Sequence, residues 1–275
     1  MEILKIPTAV AAFDSIIKGG MPSGSVVLLF GEPGAGHYEF AITSASKTTL
    51  AREDPERRKL ILTEIDENTY LPVNILYIST TKSEKEIKRN IMLSIDEDLQ
   101  KYILKNLIIK DLSKIYFKKT VVPSNWIKST TIFDYSEKDI IEEIIEILNN
   151  NGDDSIIIID SLTDLLTNVN INKQNLLDML KGLVRVSKNW KSIIYLILTE
   201  GIAEEKIERE IMDIVDGVLI FRWYTSERSS SRYTYMYVPK FIGVLPHIEE
   251  ERVIKFKTRI EYTNGFIVTY TEKIR

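Results

Sequence analysis

Residues 31–38 read Gly-Glu-Pro-Gly-Ala-Gly-His-Tyr, set between an apolar run at 26–30 and a helix-forming stretch from Glu39 onward. Gly31 and Gly36 have the spacing of a phosphate-binding loop. Glycine at both ends lets such a loop wrap close around phosphate oxygens and offer N–H donors and a helix N-terminus to the anion. Glu32, Pro33, Gly34 and Ala35 fill the bend. Where that loop would carry a lysine for the outer phosphates and a hydroxyl for magnesium stand His37 and Tyr38. Imidazole, with an ordinary pKa of about 6.5, is mostly neutral at neutral pH and reaches less far than lysine. A phenol is too bulky for the small site of a magnesium-binding hydroxyl. The spacing predicts the backbone of a phosphate cradle with no catalytic residue in it.

A second group of candidates lies between residues 101 and 128. Lys101, Lys105, Lys110, Lys114, Lys118, Lys119 and Lys128 face one acid, Asp111, with Tyr102, Tyr116, Phe117 and Trp126 among them. Lysines interleaved with aromatics can track a phosphate backbone and stack bases, and Lys114, Lys118 and Lys119 form the densest cluster. The same aromatics can equally anchor a core, with the lysines on a solvated face. The chain as a whole has 36 basic and 40 acidic residues and a net charge of −4, so it offers no global field for a polyanion.

Other chemistries are excluded by composition. The 275 residues contain no cysteine and only two histidines, His37 and His247. That removes disulfide scaffolds, zinc fingers, iron–sulfur sites and thiol nucleophiles. No stretch approaches the roughly 18 uninterrupted apolar residues of a membrane span, and the first residues lack the pattern of a signal peptide. A cytoplasmic protein without membrane contact is the expectation.

The elements that must position the loop follow from periodicity. Short Ile- and Val-rich runs at 26–30, 75–80, 107–109, 155–159 and 193–198 read as buried parallel strands. Amphipathic stretches at 83–95, 139–148 and 176–190 read as crossover helices. After about residue 215 the strand runs 218–223, 232–237, 252–260 and 266–270 follow without helices, so they are expected to be antiparallel. Residues 225–231 supply one hairpin tip, and Asn264–Gly265 is a tight-turn signal. The charged stretch 52–68 with Pro55 reads as a solvated loop or frayed helix end. Residues 1–275 are expected to form one α/β domain, parallel to about 215 and antiparallel over 216–275.

The order of these segments resembles the KaiC-like and RadA-like ATPases of the RecA superfamily. Phe13-Asp14-Ser15-Ile16-Ile17 with Gly19-Gly20-Met21-Pro22-Ser23-Gly24 resembles their lead-in to the ATP loop, and Ile156 to Asp160 followed by Ser161 resembles their Walker B strand. Leu198-Thr199-Glu200 and Asp213 to Val218 resemble later landmarks, so the match extends over nearly the whole chain. The resemblance implies a RecA-like core, with Asp160 near magnesium if Mg-ATP binds. Otherwise Asp160 caps a helix start or bonds the loop backbone. It also implies an acidic pair after the second strand to position the attacking water; Thr81 and Lys82 stand there instead. In the segment whose lysine and arginine reach a neighbouring subunit's phosphate, Lys240 and Gly243 are kept and Ile242 replaces the arginine.

Loss at His37, Tyr38, Thr81–Lys82 and Ile242 together implies a fold kept without its reaction. The expectation is a pseudo-ATPase with no cofactor, acting as a regulatory or scaffold protein through an unidentified protein partner. A weak Mg-ATP-binding ATPase is one alternative. An accessory factor of DNA recombination, using residues 101–128, is another. Any oligomer is expected not to be driven by nucleotide.

Overall fold

A strand buried on both faces must be apolar at successive positions, and the Ile- and Val-rich runs meet that demand. A computed structural model describes residues 3–118, 120–127, 139–225 and 232–274. Lys119, Lys128 and the 226–231 part of the expected hairpin tip lie outside the described residues. In chain order the strands are β1 (Lys5–Ile6), β2 (Met21–Pro22), β3 (Ser25–Gly31), β4 (Asn74–Ser79), β5 (Leu107–Asp111) and β6 (Ser155–Asp160). They continue with β7 (Ile193–Thr199), β8 (Gly217–Thr225), β9 (Arg232–Phe241), β10 (Val253–Glu261) and β11 (Gly265–Lys273). β1 and β2 form a short antiparallel pair, and the others form a nine-stranded sheet in the order β11-β10-β9-β8-β3-β7-β6-β4-β5.

The stretch from β8 to β5 is parallel, and β9, β10 and β11 extend it antiparallel from β8. Strand β8 is therefore the switch: it pairs parallel with β3 on one side and antiparallel with β9 on the other. Alternation along the strands splits the core in two. Val27, Leu29, Tyr77 and Ile158 face the layer that holds helices His37–Glu53, Glu84–Ser94 and Glu97–Asn106. Leu28, Phe30, Ile78 and Ile159 face the layer of helices Ile140–Asn151, Leu162–Thr167, Lys173–Val186 and Glu205–Ile214. No helix of the described residues is long and apolar enough to cross a membrane.

Two local expectations change. Within the charged stretch 52–68, residues Pro55–Ile61 form a helix, because the Asp54 carboxylate accepts the Glu56 and Arg57 N–H groups at 3.2 and 3.1 Å and Pro55 takes the first turn. A six-residue helix, Leu245–Glu250, also stands between β9 and β10, where strands alone were expected.

The antiparallel hairpin β10–β11 clamps the helix that follows the glycine loop. Phe266 is fully buried and packs edge-on against Phe40 at 5.4 Å and Phe221 at 5.7 Å, centroid to centroid. Its backbone N–H donates to Thr43 Oγ1 at 2.7 Å. Replacing Phe266→Ala should cost about 3–5 kcal/mol in urea unfolding, the range for truncating a buried aromatic. A loss below about 1 kcal/mol would show that the hairpin does not brace the loop helix.

Candidate functional site

In an open parallel sheet, sites form beyond the carboxyl ends of the strands. Here β3 ends at Gly31, β4 at Ser79 and β6 at Asp160, with Ser79 directly opposite Asp160. The glycine loop, the Thr81–Lys82 pair and Asp160 are thereby brought to one edge.

The loop has the strand–turn–helix form the spacing predicts. Gly34 and Gly36 adopt left-handed backbone at φ 73° and 106°, and Gly36 precedes the first residue of helix His37–Glu53. A Cβ at residue 36 would also press on the Phe266 ring at 3.0 Å. The bend is tied down by its neighbours. Ala35 N–H donates to the Glu32 carbonyl at 3.0 Å, and the Glu32 carboxylate accepts the Trp223 N–H at 2.6 Å. The Trp223 indole N–H donates to the Pro33 carbonyl at 3.1 Å, while the Arg232 guanidinium lies 3.7 Å from the centroid of the Trp223 ring.

His37 turns inward rather than out over the loop. A Cβ at residue 31 would stand 2.6 Å from His37 Nδ1, so the missing side chain of Gly31 is the space the imidazole occupies. Phe221 packs beside it at 6.3 Å, and Nδ1 has no hydrogen-bond partner among the described residues. Burial pulls His37 down to about 4, against an upward pull from Asp160, and Lys82 lowers it further. The imidazole is neutral. Tyr38 places its hydroxyl in a buried position next to that of Tyr77, and burial followed by the Asp160 charge pushes this phenol above its ordinary value.

Asp160 is buried and already partnered. Lys82 Nζ lies 2.6 Å from Oδ2, and the Tyr77 hydroxyl donates to the same oxygen. Lys82 also sits 5.5 Å over the Tyr38 ring. Its backbone is fixed by the Ser79 hydroxyl, which accepts the Lys82 N–H at 2.9 Å, and by the Ser83–Glu86 capping box that starts the next helix. Ser161, not Asp160, caps the following helix, accepting the Asp164 N–H at 3.3 Å, and among the described residues the Asp160 carboxylate is bonded by Lys82 and Tyr77 rather than by the loop backbone. Thr81 donates its hydroxyl to the Asp164 carboxylate at 3.2 Å, which Thr80 and Ser161 also bond.

The remaining sequence candidates lie elsewhere. Lys240 donates through Nζ to the Met212 carbonyl at 3.0 Å and to that of Asp213, at the C-terminal end of helix Glu205–Ile214, where a cation meets the negative end of the helix dipole. Ile242 is 67% exposed two residues on. The basic segment is spread over helix Glu97–Asn106, edge strand β5 and helix Ser113–Phe117, which carries Lys114 and is followed by Lys118. Lys105 pairs with Glu53 at 2.9 Å, and Tyr116 packs on the core and donates to the Asp164 carbonyl at 3.2 Å. Trp126 is exposed. Tyr77 and Trp223, absent from the sequence-based site, both contribute. Tyr77 could have been found from its place on β4 beside the strand that ends in Asp160.

The buried imidazole sets a pH dependence. The folded chain holds His37 at about 4 against an unfolded value of about 6.5, so below that pH the proton favours the unfolded chain and stability falls by on the order of 3 kcal/mol as pH drops toward 4. Asp14, buried and pushed up to about 6, acts in the opposite sense, losing stability as pH rises through the same window. Comparison with His37→Leu isolates the imidazole: the variant should match or exceed the parent at pH 7 and lose less stability on acidification to pH 4. Parallel stability curves for the two proteins would contradict a buried neutral His37.

No family model matches the chain, and no curated protein matches its sequence. Solved structures do. A KaiC-like protein from the hyperthermophilic archaeon Pyrococcus horikoshii OT3 superposes with a TM-score of 0.63 at 17% identity, over 98% of this chain and 100% of that one. Flagellar accessory protein FlaH from Methanocaldococcus jannaschii gives a TM-score of 0.61, also at 17% identity, with 98% and 100% covered. At that identity the likeness establishes architecture alone. The chain has the fold of the KaiC-like proteins, a RecA-like core with an antiparallel C-terminal extension.

Proposed function

We propose that this protein is a non-catalytic member of its fold group, a regulatory or scaffold protein that works through protein contacts. The observation that carries this reading is the Lys82–Asp160 pair. A carboxylate at the end of the strand beside a phosphate loop serves a nucleotide by holding magnesium, directly or through water. Here its Oδ2 receives the chain's own ammonium and a tyrosine hydroxyl.

Three further features weigh against Mg-ATP as a resident ligand. His37, at the lysine position, is buried and neutral and cannot offer a cation to the outer phosphates. Tyr38 replaces the metal-binding hydroxyl with a ring packed under Lys82. Arg222, on the neighbouring strand, is committed to Glu200. The residues present do not fit a magnesium-bound triphosphate, and no hydrolytic step is assigned to them.

Titration calorimetry tests the reading. The protein should give no magnesium-dependent heat with ATP. The double variant His37→Lys/Tyr38→Thr should remain silent because Lys82 still holds Asp160, whereas adding Lys82→Ala should bring measurable magnesium-dependent binding. Tight, magnesium-dependent ATP binding by the unmodified chain would overturn the proposal, and so would binding that appears in the double variant without the Lys82 change.

A further inference from the structure

On the face of the sheet that carries helices Ile140–Asn151 and Lys173–Val186, these two helices leave a groove of about 540 Å³ between them. Its floor is apolar: Leu148, Met179 and Leu183 are buried, Trp190 also lines it, and Ile145 is 41% exposed. Its rim carries the carboxylates Asp139, Glu142 and Asp178, and among the described residues no Lys, Arg or His lines it. Lys181, outside the lining, is divided between Asp178 and Glu210, each at 3.6 Å.

Gly182 adds an independent observation. It lies inside helix Lys173–Val186, where glycine is unfavourable relative to alanine, and it lines this groove. A Cβ there would meet nothing within 4 Å, so no neighbour within the described chain requires the glycine. Glycine at a surface helix position allows another backbone to approach closely. An apolar trough with an acidic rim and a bare helix backbone on one wall matches the recognition of an amphipathic helix by its apolar face.

We propose that this groove is a docking site for a basic amphipathic helix of a partner protein. The apolar stripe of that helix lies on Leu148, Met179 and Leu183, and its backbone crosses at Gly182. Its lysines or arginines meet Asp139, Glu142 and Asp178. The assignment stands on the groove and goes beyond the reading of the phosphate loop, which is at the carboxyl edge of the sheet; the test below uses no nucleotide, so either can fail alone.

The test uses the whole chain and a fluorescently labelled Leu/Lys amphipathic helical peptide, with its Leu/Glu counterpart as control. The Leu/Lys peptide should bind in fluorescence anisotropy, with hydrogen-exchange protection rising in residues 140–151 and 173–186. The Leu/Glu peptide should not bind. Gly182→Leu should weaken binding by about tenfold or more. Gly182→Ala should raise the thermal midpoint by about 2–4 °C, which shows that substitution here leaves the fold intact. Lack of binding, equal binding of both peptides, protection elsewhere or indifference to Gly182→Leu would each overturn the proposal. It would also fall if the peptide bound only after deletion of residues 128–138, which would assign the groove to this chain's own segment. Displacement of the peptide by concentration-dependent self-association would assign the groove to a second copy and refute a separate partner.

Discussion

A carboxylate buried at the end of an apolar strand must have a counter-charge, because an unpaired buried charge costs several kcal/mol. Asp160 ends β6 in that position, and its requirement is met from within by Lys82 and Tyr77. The rest of the site follows from this pairing. With the ammonium drawn across the edge of the sheet, Tyr38 packs beneath it, and the Asp160 and Lys82 charges fall beside a neutral His37. A phosphate loop normally relies on an external metal to balance such a carboxylate; here a side chain fixed by a capping box supplies the cation.

The framework that holds the pair is rigid at several levels. Parallel pairing sets Ser79 opposite Asp160, so the residues after β4 emerge next to the end of β6. The antiparallel extension then locks the other side. Trp223 on β8 bonds the loop at Glu32 and Pro33, and Phe266 at the start of β11 presses on Gly36 and Phe40. The loop is thus tied at both shoulders by the chain's own side chains. The acidic groove on one layer of helices offers a separate place for protein contact, away from the carboxyl edge.

Much of the frame was legible in the sequence because buried parallel strands leave a direct mark: Ile and Val runs that need no partner information to be read. The glycine loop was legible as a local pattern of residue type, whereas Asp160 and the substituted Thr81–Lys82 positions were singled out only through the resemblance to the KaiC-like and RadA-like ATPases. What was hidden depends on contacts distant in sequence. Lys82 and Asp160 are 78 residues apart, and nothing local states that the ammonium reaches the carboxylate rather than solvent. The inward turn of His37 depends on the empty space at Gly31 and on Phe221, far along the chain. Helix His37–Glu53 was also hard to orient, since it buries hydroxyls such as Thr43, Ser44 and Thr48 against partners on other elements. The helix Pro55–Ile61 was readable in principle from Asp54 followed by Pro55, a cap and first-turn signal outweighed by the charge of the stretch.

The central claim is that Lys82 is the counter-ion of Asp160. A double-mutant cycle measures it most directly: Lys82→Met, Asp160→Asn and the combined variant, each unfolded in urea without nucleotide or magnesium and again with magnesium added. The account predicts a coupling energy of about 1 kcal/mol or more, within the range for residues in direct contact, and no change on adding magnesium. Strictly additive effects, or a coupling that disappears when magnesium is supplied, would contradict it.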